Sequence, residues 1–114
     1  MEQVEARHYE KLEQDGKVQC HLCPHECRIS PDRVGVCLVR KNIGGELMAT
    51  TYGRAAAVSM DPIEKKPLYH FHPSTQILSV GSLGCTFKCP WCQNCHLVEF
   101  KASTREARPE ELVE

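Results

Sequence analysis

Three cysteines late in the chain carry its most specific chemistry. Cys85, Cys89 and Cys92 read Cys-x3-Cys-x2-Cys within the string Gly84-Cys85-Thr86-Phe87-Lys88-Cys89-Pro90-Trp91-Cys92-Gln93-Asn94. Three thiolates on one loop can hold three corners of a cubane [4Fe–4S] cluster and leave its last iron open to another ligand. That open iron separates a catalytic cluster from an electron-transfer cluster closed by four cysteines. Another thiol, Cys95, follows Gln93-Asn94. We read it as spare; as a fourth ligand it would turn the same loop into a closed zinc or iron–sulfur site.

A second group lies upstream, with the spacing Cys20-x2-Cys23-x3-Cys27-x9-Cys37. Four thiols so close together, broken by Pro24 and Gly35, point to a metal centre. Tetrahedral sulfur ligation suits zinc and iron–sulfur clusters alike. The group has a single Cys-x2-Cys knuckle, where a zinc ribbon has two. His21 and His25 are interleaved and are read as solvent-facing. Closed by four ligands, this centre would be structural or an electron relay.

Elements must position these thiols. Gln76-Ile77-Leu78-Ser79-Val80-Gly81 reads as a strand leading into the Cys85 loop. Residues 46–52 follow Gly44-Gly45 and partly alternate, so a strand is expected there, with Ile43 in the other arm of a hairpin. Residues 55–59 are expected as a strand between Gly53 and Pro62. Residues 4–14 read as a weak amphipathic helix ended by Asp15-Gly16. Asp61-Pro62 and Lys66-Pro67 mark a loop. Asp61, Glu64, Lys65 and Lys66 read as a solvated face, a loop packing near the cluster or a partner surface. His70 and His72 flank Phe71 in a structural loop. Arg108-Pro109-Glu110-Glu111-Leu112-Val113-Glu114 opens a helix, with proline and acids in its first turn.

The late cysteine string resembles the radical S-adenosylmethionine (SAM) superfamily, whose motif is Cys-x3-Cys-x-aromatic-Cys, with Trp91 in the aromatic slot. The resemblance narrows on four upstream strings: Leu22-Cys23-Pro24-His25-Glu26-Cys27, Gly35-Val36-Cys37-Leu38-Val39-Arg40-Lys41-Asn42, Tyr52-Gly53-Arg54 and Asp61-Pro62-Ile63-Glu64-Lys65-Lys66-Pro67-Leu68-Tyr69-His70-Phe71. This ordered set is similar to the AmmeMemoRadiSam-system radical SAM enzymes, which are pyruvate formate-lyase activating enzyme-like. Cys95-His96 departs from the family, which more often has an aromatic there.

The resemblance implies that Cys85, Cys89 and Cys92 hold a [4Fe–4S] cluster and that SAM chelates its open iron. SAM is then cleaved reductively to methionine and a 5′-deoxyadenosyl radical. Phe87 and Trp91 would shield the cluster, and Trp91 would lie near the adenine of SAM. A reductant such as flavodoxin or ferredoxin is implied, and the activase likeness makes a glycyl-radical protein a candidate substrate. The implied fold class is α/β: a Cys-rich metal-binding extension with short strands over residues 1–72, then over residues 73–114 the first strand, cluster loop and helix start of a truncated partial (β/α) barrel. At 114 residues the chain is short of the roughly 200 or more that a full barrel needs. It reads as an N-terminal fragment, by itself inactive, of a radical SAM enzyme. The alternative is a non-catalytic metal-binding module with two closed four-cysteine sites.

Charge excludes little and suggests no nucleic acid: fourteen basic residues against fifteen acidic ones leave −1, and no basic stripe appears. No stretch approaches the roughly 18 apolar residues of a membrane span. The charged N-terminus has no apolar segment of a secretory signal. Eight cysteines in such a chain argue for reduced, metal-binding thiols and a cytoplasmic location.

Overall fold

A computed structural model describes residues 3–13, 15–98 and 103–113. The first half forms two small antiparallel sheets. Their strands are β1 (Val4–Glu5), β2 (Tyr9–Lys11), β3 (Val18–Cys20), β4 (Arg28–Ile29), β5 (Arg40–Ile43) and β6 (Glu46–Ala49). One sheet has the order β1-β6-β5 and the other β2-β3-β4.

The helix expected over residues 4–14 is corrected to the two strands β1 and β2; Gln14 lies outside the described residues. The physical reason is non-local. Val4 pairs with Ala49 on β6, and Tyr9 pairs with Cys20 on β3. Between them His8 takes a φ of 60°, which a right-handed helix does not allow. Asp15-Gly16 then turns a hairpin instead of ending a helix, closed by the Leu12 N–H donating to the Lys17 carbonyl at 2.8 Å. Tyr9 also donates its hydroxyl to Glu5 Oε1 at 2.6 Å, and this bond raises the phenol's pKa.

The expected hairpin around the double glycine is present as β5–β6, with Ile43 opposite Glu46. Gly44 and Gly45 both have positive φ, 62° and 86°, as a two-residue turn that follows the strands' twist requires.

The two sheets share one core of Ala6, Val18, Cys20, Ile29 and Leu47, with Tyr9, Cys27 and Ala49 packed against it. Among the described residues, Asn42 is the one polar residue buried there, fully out of solvent. Its amide donates to the carbonyls of Gly16 at 2.8 Å and Ile29 at 2.9 Å, and its oxygen accepts from the Gly45 N–H at 3.0 Å. One side chain thus ties the β2–β3 turn and β4 to the β5–β6 turn. Cys20 belongs to the core and Cys27 packs against it, so the early cysteine hairpin is anchored by apolar burial.

The second half contains β7 (Arg54–Ala55), β8 (Ala57–Pro62), a 3-10 turn at Ile63–Lys65, β9 (Gln76–Gly81), α1 (Cys95–Val98), β10 (Arg105–Glu106) and α2 (Pro109–Val113). The strand expected at residues 76–81 is therefore present, as is the helix start at Pro109. Glu111 folds back to accept from the Arg108 N–H at 3.3 Å, half of a capping box. The strand expected over residues 55–59 is split at Ala56 and runs on to Pro62.

β8 and β9 pair antiparallel from Ala57↔Gly81 to Pro62↔Gln76. The boundary expected after residue 72 therefore falls in the loop that joins two strands of one hairpin. Opposed residues share a face, so Val58, Met60, Leu78 and Val80 form one apolar surface, of which Met60, Leu78 and Val80 are exposed.

The polar string 61–66 clasps the base of this hairpin. Asp61 Oδ1 lies 3.3 Å from Lys65 Nζ, and its Oδ2 lies 3.7 Å from Lys66 Nζ. The Ser79 hydroxyl first, then Lys65 and Ser59, hold the Asp61 carboxyl below its ordinary pKa. Glu64 accepts from the Ser74 N–H at 2.7 Å, while Ile63 is buried and donates its N–H to Thr75. Beyond the clasp the loop is solvent-facing, with Tyr69, His70, Phe71 and His72 all exposed. Among the described residues, no helix is long and apolar enough to cross a membrane.

Candidate metal centres

The early cysteines are arranged by the β3–β4 hairpin and a following turn. Cys20 and Cys27 face each other across the hairpin, the Cys20 N–H donating to the Cys27 carbonyl at 2.9 Å. Cys23 sits at the tip, where its carbonyl accepts from Glu26 at 3.2 Å. Cys37 lies in a tight turn closed by Leu38 N–H to the Gly35 carbonyl at 3.0 Å. That turn packs on the hairpin, since a Cβ at Gly35 would lie 3.6 Å from Cys27 Sγ.

Both interleaved histidines are exposed, as expected. His21 is bracketed by Glu10 at 3.4 Å and Glu26 at 3.5 Å. His25 Nδ1 is 3.6 Å from Cys23 Sγ.

The later cysteines leave the C-terminal end of β9. The Gly84 N–H donates to the Leu97 carbonyl at 3.1 Å, so the loop is closed at its base against α1. Within it the Phe87 N–H points at Cys85 Sγ at 3.4 Å. Backbone donors to sulfur of this kind tune the potential of a bound cluster. Cys85 and Cys92 are half-buried, whereas Cys89 and Cys95 are exposed. Phe87 is 66% exposed and Trp91 82%. Both rings thus face solvent on the surface of the loop. Cys95 opens α1 on the outer surface.

The two groups meet. A cavity of about 320 Å³ is lined by Cys20, Cys23, Cys27 and Cys37 and also by Cys85. All eight cysteines are free thiols. Among the described residues, no three Cys, His, Asp or Glu side chains gather tightly enough to hold a single metal ion. The donor set still fits a sulfur-ligated centre. Four thiols ring one cavity, Gly35 leaves room beside Cys27 Sγ, and a backbone N–H already faces Cys85 Sγ.

Two glycines and one asparagine build this arrangement, and reading the cysteines alone misses them. Gly84 has a φ of 92°, and a Cβ there would lie 2.6 Å from both the Cys37 carbonyl oxygen and Val39 Cγ1. The signal available was its place immediately before the first loop cysteine. Asn42 precedes Ile43-Gly44-Gly45, a turn signal that says nothing about its burial. Gly84→Ala is expected to destabilise the chain by about 2–4 kcal/mol, because backbone strain adds to a clash that a carbonyl cannot relieve. A urea midpoint equal to that of the unaltered chain would refute this packing.

No family model matches the chain, and no solved structure matches it. It is similar to an uncharacterized protein of Methanocaldococcus jannaschii, with 48% identity over 113 residues, covering 96% of this chain and 34% of that protein. The chain thus spans about a third of the length of the relative it matches.

Proposed function

We propose that Cys85, Cys89 and Cys92 hold a [4Fe–4S] cluster with one iron left open to SAM, and that the chain is part of a radical SAM enzyme. The observation that carries this reading is the placement of the three thiols on one loop at the C-terminal end of a strand, with Cys95 outside that loop, as the first residue of α1. Barrel enzymes place their chemistry at such strand ends. Bound there, the cluster would supply the electron that cleaves SAM to methionine and a 5′-deoxyadenosyl radical.

The chain's own residues would do the rest. Cys85, closest to the protein body, would fix the cluster's orientation, with the Phe87 N–H on its sulfur. Exposed Trp91 offers a flat apolar face for the adenine of SAM. Strand β9 has no strand partner on its second edge among the described residues, which leaves room for the next strand of a barrel. The reductant would be a flavodoxin or ferredoxin, and the radical's target, a protein in the activase-like reading, would be selected by parts of the enzyme outside this chain.

The test is anaerobic reconstitution with iron and sulfide, then addition of SAM while following the electron paramagnetic resonance (EPR) spectrum of the dithionite-reduced chain. An open iron responds with a changed spectrum. A fully loaded loop cluster that ignores SAM would show the closed alternative, with Cys95 as fourth ligand.

A further inference from the structure

We infer that the early site, Cys20, Cys23, Cys27 and Cys37, takes a second iron–sulfur cluster in preference to zinc, and that this cluster is seated directly against the Cys85 loop. The inference rests on the proposed cluster at Cys85, Cys89 and Cys92 and extends it to the other half of the cysteines.

The first argument is size. Zinc draws four sulfurs to about 2.3 Å from one point. Here all four cysteines line one cavity of about 320 Å³, far more room than a single ion fills. A cubane presents its irons at separate corners, so it suits thiols spread around a cavity wall. The wall is also mainly apolar between the thiols, with Leu22, Ile29 and Val39 contributing. Burial in such a lining is one of the means by which a protein sets a cluster's potential.

The second argument is contact. Cys85 lines the same cavity, and Gly84 lies so close to Cys37 that a single added carbon would strike its carbonyl oxygen. The two segments therefore approach closely at the backbone, beside the Val39 side chain. Two paramagnetic clusters held this way would sense each other's spins.

The experiment reconstitutes the 114-residue chain anaerobically with iron, sulfide and an equal amount of zinc, then measures metal content and the EPR spectrum after dithionite reduction. About eight irons and little zinc are expected per chain, for two [4Fe–4S] clusters. The reduced spectrum should be broadened or split by coupling between the clusters. In the Cys85→Ala/Cys89→Ala/Cys92→Ala variant and in the Cys23→Ala/Cys37→Ala variant, about four irons should remain, and each spectrum should sharpen to that of an isolated cluster. Zinc at one equivalent with iron only at the loop would overturn the cluster assignment. Two clusters whose spectrum is the plain sum of the two variants' spectra would overturn the contact. If the triple variant loses no iron, the loop assignment itself fails, which is a separate result. The unaltered chain alone decides between zinc and iron, so a variant that does not fold leaves that part of the inference exposed.

Discussion

Replacing Cys85, Cys89 and Cys92 together by Ala is expected to remove about four irons per chain and to abolish any response of the EPR spectrum to SAM, while metal at the early cysteines is retained. Removing the three thiols deletes every protein bond proposed for that cluster, so the loss should be complete. The fold should survive. The loop contributes none of the core residues around Leu47 and Val18, and Cys89 is exposed. Its tie to α1 uses the Gly84 N–H and the Leu97 carbonyl, which the substitutions leave in place. Iron and sulfide analysis, with circular dichroism as the control for folding, reads the outcome. Unchanged iron in a folded triple variant would remove the basis for the proposed activity.

Asn42→Ala should have the largest effect on stability, about 3–5 kcal/mol, since it empties a fully buried position and leaves the buried Ile29 carbonyl, and two part-buried backbone groups, without their partner, at about 1–3 kcal/mol for a buried group. The side chain satisfies two carbonyls and one N–H at once, and only one orientation of the amide does so. A domain this small has a total stability near the lower end of about 5–15 kcal/mol, so the variant should be largely unfolded without bound metal. Asn42→Asp is the informative companion. It keeps the shape and the acceptor for Gly45 but loses both donors and places a carboxylate among carbonyl oxygens, so it should be no more stable than the Ala variant. Urea denaturation of the metal-free chains measures both. A loss under about 1 kcal/mol for Asn42→Ala would show that the buried network is not what joins the sheets.

Local sequence made some elements legible and left others hidden. The strand at Gln76–Gly81 and the hairpin around Gly44-Gly45 have their signals within a few residues, as does the helix start at Pro109. Residues 4–14 misled because their charged and apolar residues fit a loose helical stripe. What decides them is a pairing of Val4 with Ala49, far along the chain, and of Tyr9 with Cys20 across the next turn, and no window over residues 4–14 contains either partner. The cysteine spacings identified which side chains could bind metal. They could not reveal that Cys37 and Gly84 touch, because that contact depends on how β9 returns toward the early hairpin. The resemblance assigned Phe87 and Trp91 to a cluster and to SAM, and it carried no information on how exposed the two rings are in this chain. Apolar character predicts burial only where some other segment is present to bury against, and none of the described segments reaches them.

The contact at Gly84 also has a genetic consequence. Every single-base change of a glycine codon that yields another amino acid yields one carrying a Cβ: Ala, Ser, Cys, Asp, Glu, Val, Arg or Trp. At a φ of 92° and 2.6 Å from a carbonyl oxygen, each meets the same obstacle. The codon therefore has no mild missense neighbour. In a saturation library position 84 should read as intolerant from its smallest substitution onward, whereas exposed positions on the same loop, such as Lys88, should accept many residues without loss of fold.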